Sequence, residues 1–230
     1  MATERLSSGC SEIDMLLEGG YENDILTAIY GSSGSGKTNL CLICAVNVAK
    51  ERKKVIYIDT EGGFSVSRLN QIAGGSKEIN DNFLFLRPVS FNEQKKSFEK
   101  LKEIVNAEIG LIIVDTIAML YRIELGKNDK MYETNRELGK QVSYLTEIAR
   151  KKKIPIIMTN QVYSGFDEQE DIRMVGGDII KYGCKCIIEL KKTKSGTRIF
   201  ILKKHRSIAE GKKLFFRIVE SGIEPIEELK

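Results

Sequence analysis

The stretch GSSGSGKT, Gly31 to Thr38, restricts this chain more than any other. It fits G-x-x-x-x-G-K-[ST], a phosphate-binding loop. Gly31, Gly34 and Gly36 let the backbone turn tightly and bring its N–H groups close to phosphate oxygens. Ser32, Ser33 and Ser35 complete the loop. Lys37 has the reach for β- and γ-phosphates, and Thr38 offers a hydroxyl to Mg2+. The flanks agree. ILTAIY (Ile25–Tyr30) is an apolar, β-branched run that predicts a buried strand. Behind the loop comes Asn39, and then Leu40, Cys41, Cys44, Ala45 and Val48 recur at helical spacing. A strand feeding a helix aims the helix N-terminus at the anion. The candidate ligand is therefore a nucleoside triphosphate with Mg2+, and Gly31 to Asn39 are its candidate binding residues.

Further along, VIYID (Val55–Asp59), FLFL (Phe83–Leu86), LIIVD (Leu111–Asp115) and PIIMTN (Pro155–Asn160) read as strands. Between them, Phe91 to Ala107 and Met131 to Lys153 show apolar residues at helical spacing: Phe98, Leu101, Ile104 and Val105 in the first, Leu138, Val142, Leu145 and Ile148 in the second. Continuous apolar strands alternating with amphipathic helices predict an α/β fold whose mostly parallel, twisted sheet carries helices on both faces. CKCIIELKK, TKSG and TRIFILKK then read as a hairpin, followed by KLFFRIV (Lys213–Val219), so a C-terminal antiparallel extension is expected. At 230 residues, one domain spanning 1–230 suffices. No apolar run approaches bilayer length and MATERLSSG lacks a signal-peptide core, so no membrane partner and a cytoplasmic location are expected.

Cys10, Cys41, Cys44, Cys184 and Cys186 sit mostly in apolar runs and read as reduced core residues. C-x-x-C at Cys41/Cys44 and C-x-C at Cys184/Cys186 invite a metal reading, but the first pair lies on the helix behind the loop and the chain has one histidine. The net charge of +4 is unevenly spread: Lys181 to Arg217 holds twelve Lys/Arg against two acids. Such a segment is the footprint of a polyanion-binding face. It also fits an edge hairpin whose lysines block aggregation.

Three strand ends point back at the phosphate. LIIVD ends in Asp115, where a carboxylate holds the Mg2+ water shell. VIYIDTEGG ends in Asp59, Thr60 and Glu61, where a carboxylate can deprotonate an attacking water, or simply shape the turn at Gly62-Gly63. IIMTNQ ends in Asn160 and Gln161, whose amides can meet the γ-phosphate or solvent.

In combination these motifs resemble the RecA superfamily, in its RadA/Rad51/KaiC branch. The resemblance runs from LSSGCSEIDMLLEGGYENDILTAIYGSSGSGKT through YIDTEGGF, LIIVD and TNQV to GGDIIKYGCKCIIELKK. Within that branch the early start of the core and KHRS are most similar to the archaeal RadB paralogues. The resemblance implies a RecA-like P-loop NTPase core with Lys37, Glu61 and Gln161 as catalytic residues: Glu61 the base, Gln161 the γ-phosphate sensor that moves a DNA-binding loop. It puts Arg68 against adenine. Lys204 and Arg206, in KKHRS, would reach across a subunit interface to a neighbour's ATP, unless they belong to the general basic face.

Departures from the family bear on function. An N-terminal helical DNA-binding domain and a filament-linking motif are not expected here. The loops that touch DNA in relatives would be Arg122–Lys130 and Ser164–Gly176. The second carries Asp167, Glu168, Glu170 and Asp171 against Arg173, a charge that repels phosphate, with Phe166 as a lone aromatic. DNA, single-stranded or branched, is therefore assigned to the basic segment, with Lys191, Lys192, Lys194, Arg198 and Lys203 as candidate contacts. The expected function is a repair and recombination accessory that binds ATP–Mg2+ and DNA, hydrolyses ATP weakly, exchanges no strands of its own and assists a RadA-type recombinase, with homo-oligomerisation open. An active filament-forming recombinase and a DNA-independent signalling ATPase are the alternatives.

Overall fold

The structure, a computed structural model, describes residues 4–76, 78–126, 131–163 and 173–227. In chain order its main elements are α1 (Ser11–Leu16), β1 (Leu26–Gly31), α2 (Lys37–Lys50), β2 (Lys54–Asp59), α3 (Val66–Ile72), β3 (Phe83–Leu86), α4 (Phe91–Ile104), β4 (Ile109–Asp115) and α5 (Met119–Leu125). There follow α6 (Met131–Lys152), β5 (Ile156–Asn160), α7 (Gly177–Gly183), β6 (Cys186–Lys192), β7 (Arg198–His205), β8 (Lys213–Val219) and β9 (Gly222–Ile226). Among the described residues these strands form one nine-stranded sheet, ordered β9-β8-β7-β6-β1-β5-β4-β2-β3. The strands from β6 across to β3 are parallel, and β7, β8 and β9 extend the sheet antiparallel.

The near-continuous apolar strands are explained by burial on both faces. Ile29, Val55, Tyr57, Leu111, Ile113 and Ile157 pack with α1, α2 and α3 on one side. Their alternates Ala28, Ile56, Ile58, Ile112, Val114 and Met158 pack with α4 to α7 on the other. A fully buried aliphatic of this kind contributes about 1.5–3 kcal/mol over exposure, so the two cores fix the register. That register levels the strand ends: Asp59 pairs with Asp115, and Tyr30, one residue before Gly31, lies between Asn160 and Glu189.

The expected elements recur with small shifts. The helix expected to Ala107 ends at Ile104, because Val105 turns extended (ψ 107°) and buries its side chain. The helix expected to Lys153 stops at Lys152, where Lys153 takes φ 56°. Strand β9 was not expected: GIEPI carries a proline, which an edge strand tolerates because one row of its N–H groups has no partner. All five cysteines are free and buried, as core residues should be, and burial raises the thiols of Cys184 and Cys186 to about 12. Among the described residues no helix is long and apolar enough to cross a membrane.

Candidate nucleotide site

The phosphate loop joins β1 to α2 and lies against the antiparallel extension. A Cβ on Gly31 would sit 2.2 Å from the Leu190 carbonyl oxygen of β6, so only glycine allows that approach. Gly36 caps α2 with φ 103° and, as glycine, has no side chain to accept a hydrogen bond at that terminus. The first-turn N–H groups of α2 are thus left for an anion. Lys37 Nζ donates to the carbonyls of Gly31 (2.9 Å) and Ser32 (3.0 Å), which folds the side chain back over the loop. Burial lowers its pKa, while the charges of Glu61 and Asp115 oppose that shift.

Asp115 is 5% exposed and surrounded by hydroxyls. Its Oδ2 accepts from Thr38 (2.8 Å) and Tyr57 (2.7 Å), and its Oδ1 accepts from Thr159. Thr38 gives its proton to Asp115, so its lone pairs remain for a cation. Hydroxyl and carboxylate oxygens are the hard donors that Mg2+ prefers. Among the described residues the buried hydroxyls of Ser35 and Thr116 have no partner, and Thr116 lines the cavity, where a polar ligand would satisfy it. The residues therefore fit a triphosphate with its metal. Tyr57 is held protonated, its pKa raised well above 10.0 by burial and by the neighbouring Asp115.

The turn after β2 resolves into distinct roles. Asp59 is buried and accepts from the main-chain N–H groups of Gly62 (2.8 Å), Gly63 (3.2 Å) and Phe64 (3.2 Å). Thr60 exchanges hydrogen bonds with the backbone of Thr116. Both shape the turn, and Glu61 alone of the three faces the cavity. Its Oε1 accepts from Gln161 Nε2 at 2.6 Å. The cavity, about 290 Å3, is lined by loop residues together with Glu61, Arg68, Asp115, Thr116, Gln161 and Ile218.

At the tip of β5 the structure corrects one expectation. Asn160 is fully buried and donates to the Val175 carbonyl (2.7 Å), so its amide faces away from the cavity. The main chain of Gln161 accepts from Val175 N–H (3.1 Å), and Val162–Tyr163 pairs with Arg173–Met174. The acidic run Asp167–Asp171 and Phe166 lie outside the described residues, as do residues 127–130 of the other loop.

Charge contiguous in sequence is divided in space. Lys191, Lys192, Lys194 and Arg198 stand about the β6–β7 turn, level with the phosphate loop, where Arg198 reaches Gly34 O at 3.5 Å. Lys191 and Lys203 flank the buried Glu189 at 3.6 and 3.7 Å. Lys204 and Arg206 lie at the other end of the sheet. Lys204 donates to the carbonyls of Lys181 (2.7 Å) and Cys184 (2.9 Å). Arg206 pairs with Glu22 (2.6 Å) and Asp24 (2.7 Å). Within one chain both are thus structural ties. Sequence reasoning passed over Tyr57 and Thr159, whose positions two and one residues before a strand tip were the available signal; the turn-shaping alternative offered at Gly62-Gly63 is the one Asp59 takes.

The Rad51 family model matches residues 2–226. The chain is 42% identical over 220 residues to the DNA repair and recombination protein RadB of Methanobrevibacter smithii, covering 93% of each chain. It is 39% identical over 230 residues to the protein of that name from Thermococcus sibiricus, covering 98% of this chain and 97% of the relative. A crystal structure of the RadB recombinase superposes with a TM-score of 0.82 at 37% identity, covering 96% of this chain and 100% of that one.

Proposed function

The chain belongs to the Rad51 family, and on that premise we propose that it is a DNA repair and recombination protein switched by ATP–Mg2+. The expected RecA-like fold holds. The loop amides and Lys37 hold the phosphates, and Thr38 with Asp115 holds the metal, which when bound neutralises phosphate charge. Glu61 takes the proton of the attacking water. Gln161 senses the γ-phosphate.

One observation carries the switch. Gln161 touches Glu61 with its side chain and Val175 with its main chain, while Asn160 beside it also holds Val175. Asn160, the last residue of β5, and Gln161 after it thereby hold Val175, and the short pairing of Val162–Tyr163 with Arg173–Met174 starts from that base. A γ-phosphate that draws Gln161 off Glu61 acts directly on that base, and only such differential contact shifts a conformational equilibrium.

In this reading ATP is mainly a conformational ligand, turnover is slow, and strand exchange is left to a RadA-type recombinase that the protein assists. The acidic composition of 164–176 supports this, and DNA is assigned to the Lys191, Lys192 and Lys194 turn beside the phosphate loop. Exposed Leu84, Phe85 and Val89 along and just past the β3 edge support a subunit contact there. The test is DNA binding at two salt concentrations, with and without ATP–Mg2+. Salt-sensitive binding that ATP alters is expected; binding indifferent to ATP would remove the switch.

A further inference from the structure

Arg68 lines the nucleotide cavity, yet its guanidinium spends its hydrogen bonds elsewhere. Nε and Nη2 both donate to Asn39 Oδ1, at 2.9 and 2.6 Å. Nη2 also reaches the carbonyls of Val219 (2.7 Å) and Gly222 (3.1 Å), and Nη1 that of Glu220 (2.9 Å). The Asn39 amide donates to Gly222 O as well, at 3.0 Å. Ser65 Oγ fixes the Arg68 main chain by accepting its N–H at 3.2 Å. Three parts of the chain meet in this cluster: α3, which follows the Glu61 turn; the first turn of α2; and the turn between β8 and β9.

A guanidinium donates its hydrogen bonds around its edge, and its flat faces are the surfaces on which a planar ring stacks. A nucleobase laid on such a face contacts a group whose orientation the β8–β9 turn dictates. Linkage is reciprocal, so a ligand that prefers the held guanidinium also stabilises the turn that holds it. We infer that Arg68 and Asn39 form a clasp through which the base end of a bound nucleotide fastens the C-terminal edge of the sheet. Arg68 is thus a positioning residue for the β8–β9 turn. The inference rests on the ATP reading of the cavity and adds a regulated element to it.

The test is hydrogen exchange in peptides spanning residues 219–224 of the full chain, measured free, with ATP–Mg2+ and with inorganic tripolyphosphate–Mg2+, each ligand brought to saturation by calorimetry. ATP is expected to slow exchange there roughly fivefold or more, the lower end of ordinary coupling, and tripolyphosphate to leave it at the free rate. Arg68→Lys keeps the charge without the fork and is expected to abolish the ATP effect at saturation; Asn39→Ala serves as the second variant. Equal protection by both ligands, no ATP effect in the saturated wild type, or full coupling in Arg68→Lys would overturn the clasp. Calorimetry showing no ATP binding at all would sink the nucleotide reading, and the clasp with it.

Discussion

Glu61→Gln separates proton transfer from every other duty of the turn that carries it. The turn is held by Asp59 through three main-chain N–H groups, so its shape does not depend on the Glu61 charge. The contact to Gln161 uses Oε1 as an acceptor at 2.6 Å, and a glutamine carbonyl preserves it. What is lost is the ability to accept a proton, together with a negative charge that supports the Lys37 ammonium. General-base catalysis contributes about 100- to 10,000-fold, which corresponds to roughly 3–5.5 kcal/mol of barrier at about 1.4 kcal/mol per decade. Single-turnover hydrolysis of ATP–Mg2+, with affinity followed by calorimetry, is the assay. The expected result is a rate lower by about two to four decades with affinity within about twofold, because a group acting only in the transition state leaves binding alone. Hydrolysis within about threefold of wild type would refute Glu61 as base. Parallel losses of rate and affinity would instead make it a support for the cavity wall.

Further outcomes follow from the same geometry. Tyr57→Phe removes one of three hydroxyls on Asp115 and should lower stability by about 1.5–3 kcal/mol, the range for hydrogen bonds to a charged group, read from the urea midpoint; a cycle with Thr159→Val should be non-additive because both act on one carboxylate. Lys37→Met should abolish stabilisation by ATP while making the free protein no less stable, since burial works against the ammonium. The sign with pH is set by the lowered folded-state pKa. Below it, native and unfolded chains are both protonated and the penalty is full. As pH rises through it toward the unfolded value near 10.5, the native state sheds its proton first and wild type gains on the variant. Glutamate at Lys191, Lys192 and Lys194 should weaken DNA binding and flatten its salt dependence by about 2 in log–log slope, less than three full contacts at about 0.9 each, because Lys191 already faces Glu189; an unchanged slope would remove the turn from the DNA site.

The parallel core was legible because its strands bury both faces. Four apolar residues before Asp115 and before Asp59 could hardly be anything but central strands. The phosphate loop was legible because its chemistry is local: eight consecutive residues supply the amides, the cation and the metal hydroxyl. Strand β9 was not, because Gly222 and Pro225 read as turn residues and only the vacant edge of β8 makes a strand of them.

The parts of the site that escaped sequence reasoning depend on which strands become neighbours. Tyr57 reads as a core aromatic. It becomes a ligand of Asp115 only because β2 pairs with β4 and puts Asp59 level with Asp115, so that residues two apart on β2 share the Asp115 face. Asn160 and Gln161 look equivalent as sequence. The pleat sends them opposite ways, one buried against Val175 and the other to Glu61. The basic segment misleads for the complementary reason. A hairpin brings its two ends to one edge and carries its turn to the other, so Lys194 and Arg206 are parted by the length of β7. That parting bears on function. The cations at the turn share the phosphate-loop end of the sheet with the switch residues, while Lys204 and Arg206 fasten the far end. Under the proposed switch, a polyanion held at the turn lies at the same end of the sheet as Glu61 and Gln161, and one held at the far end does not.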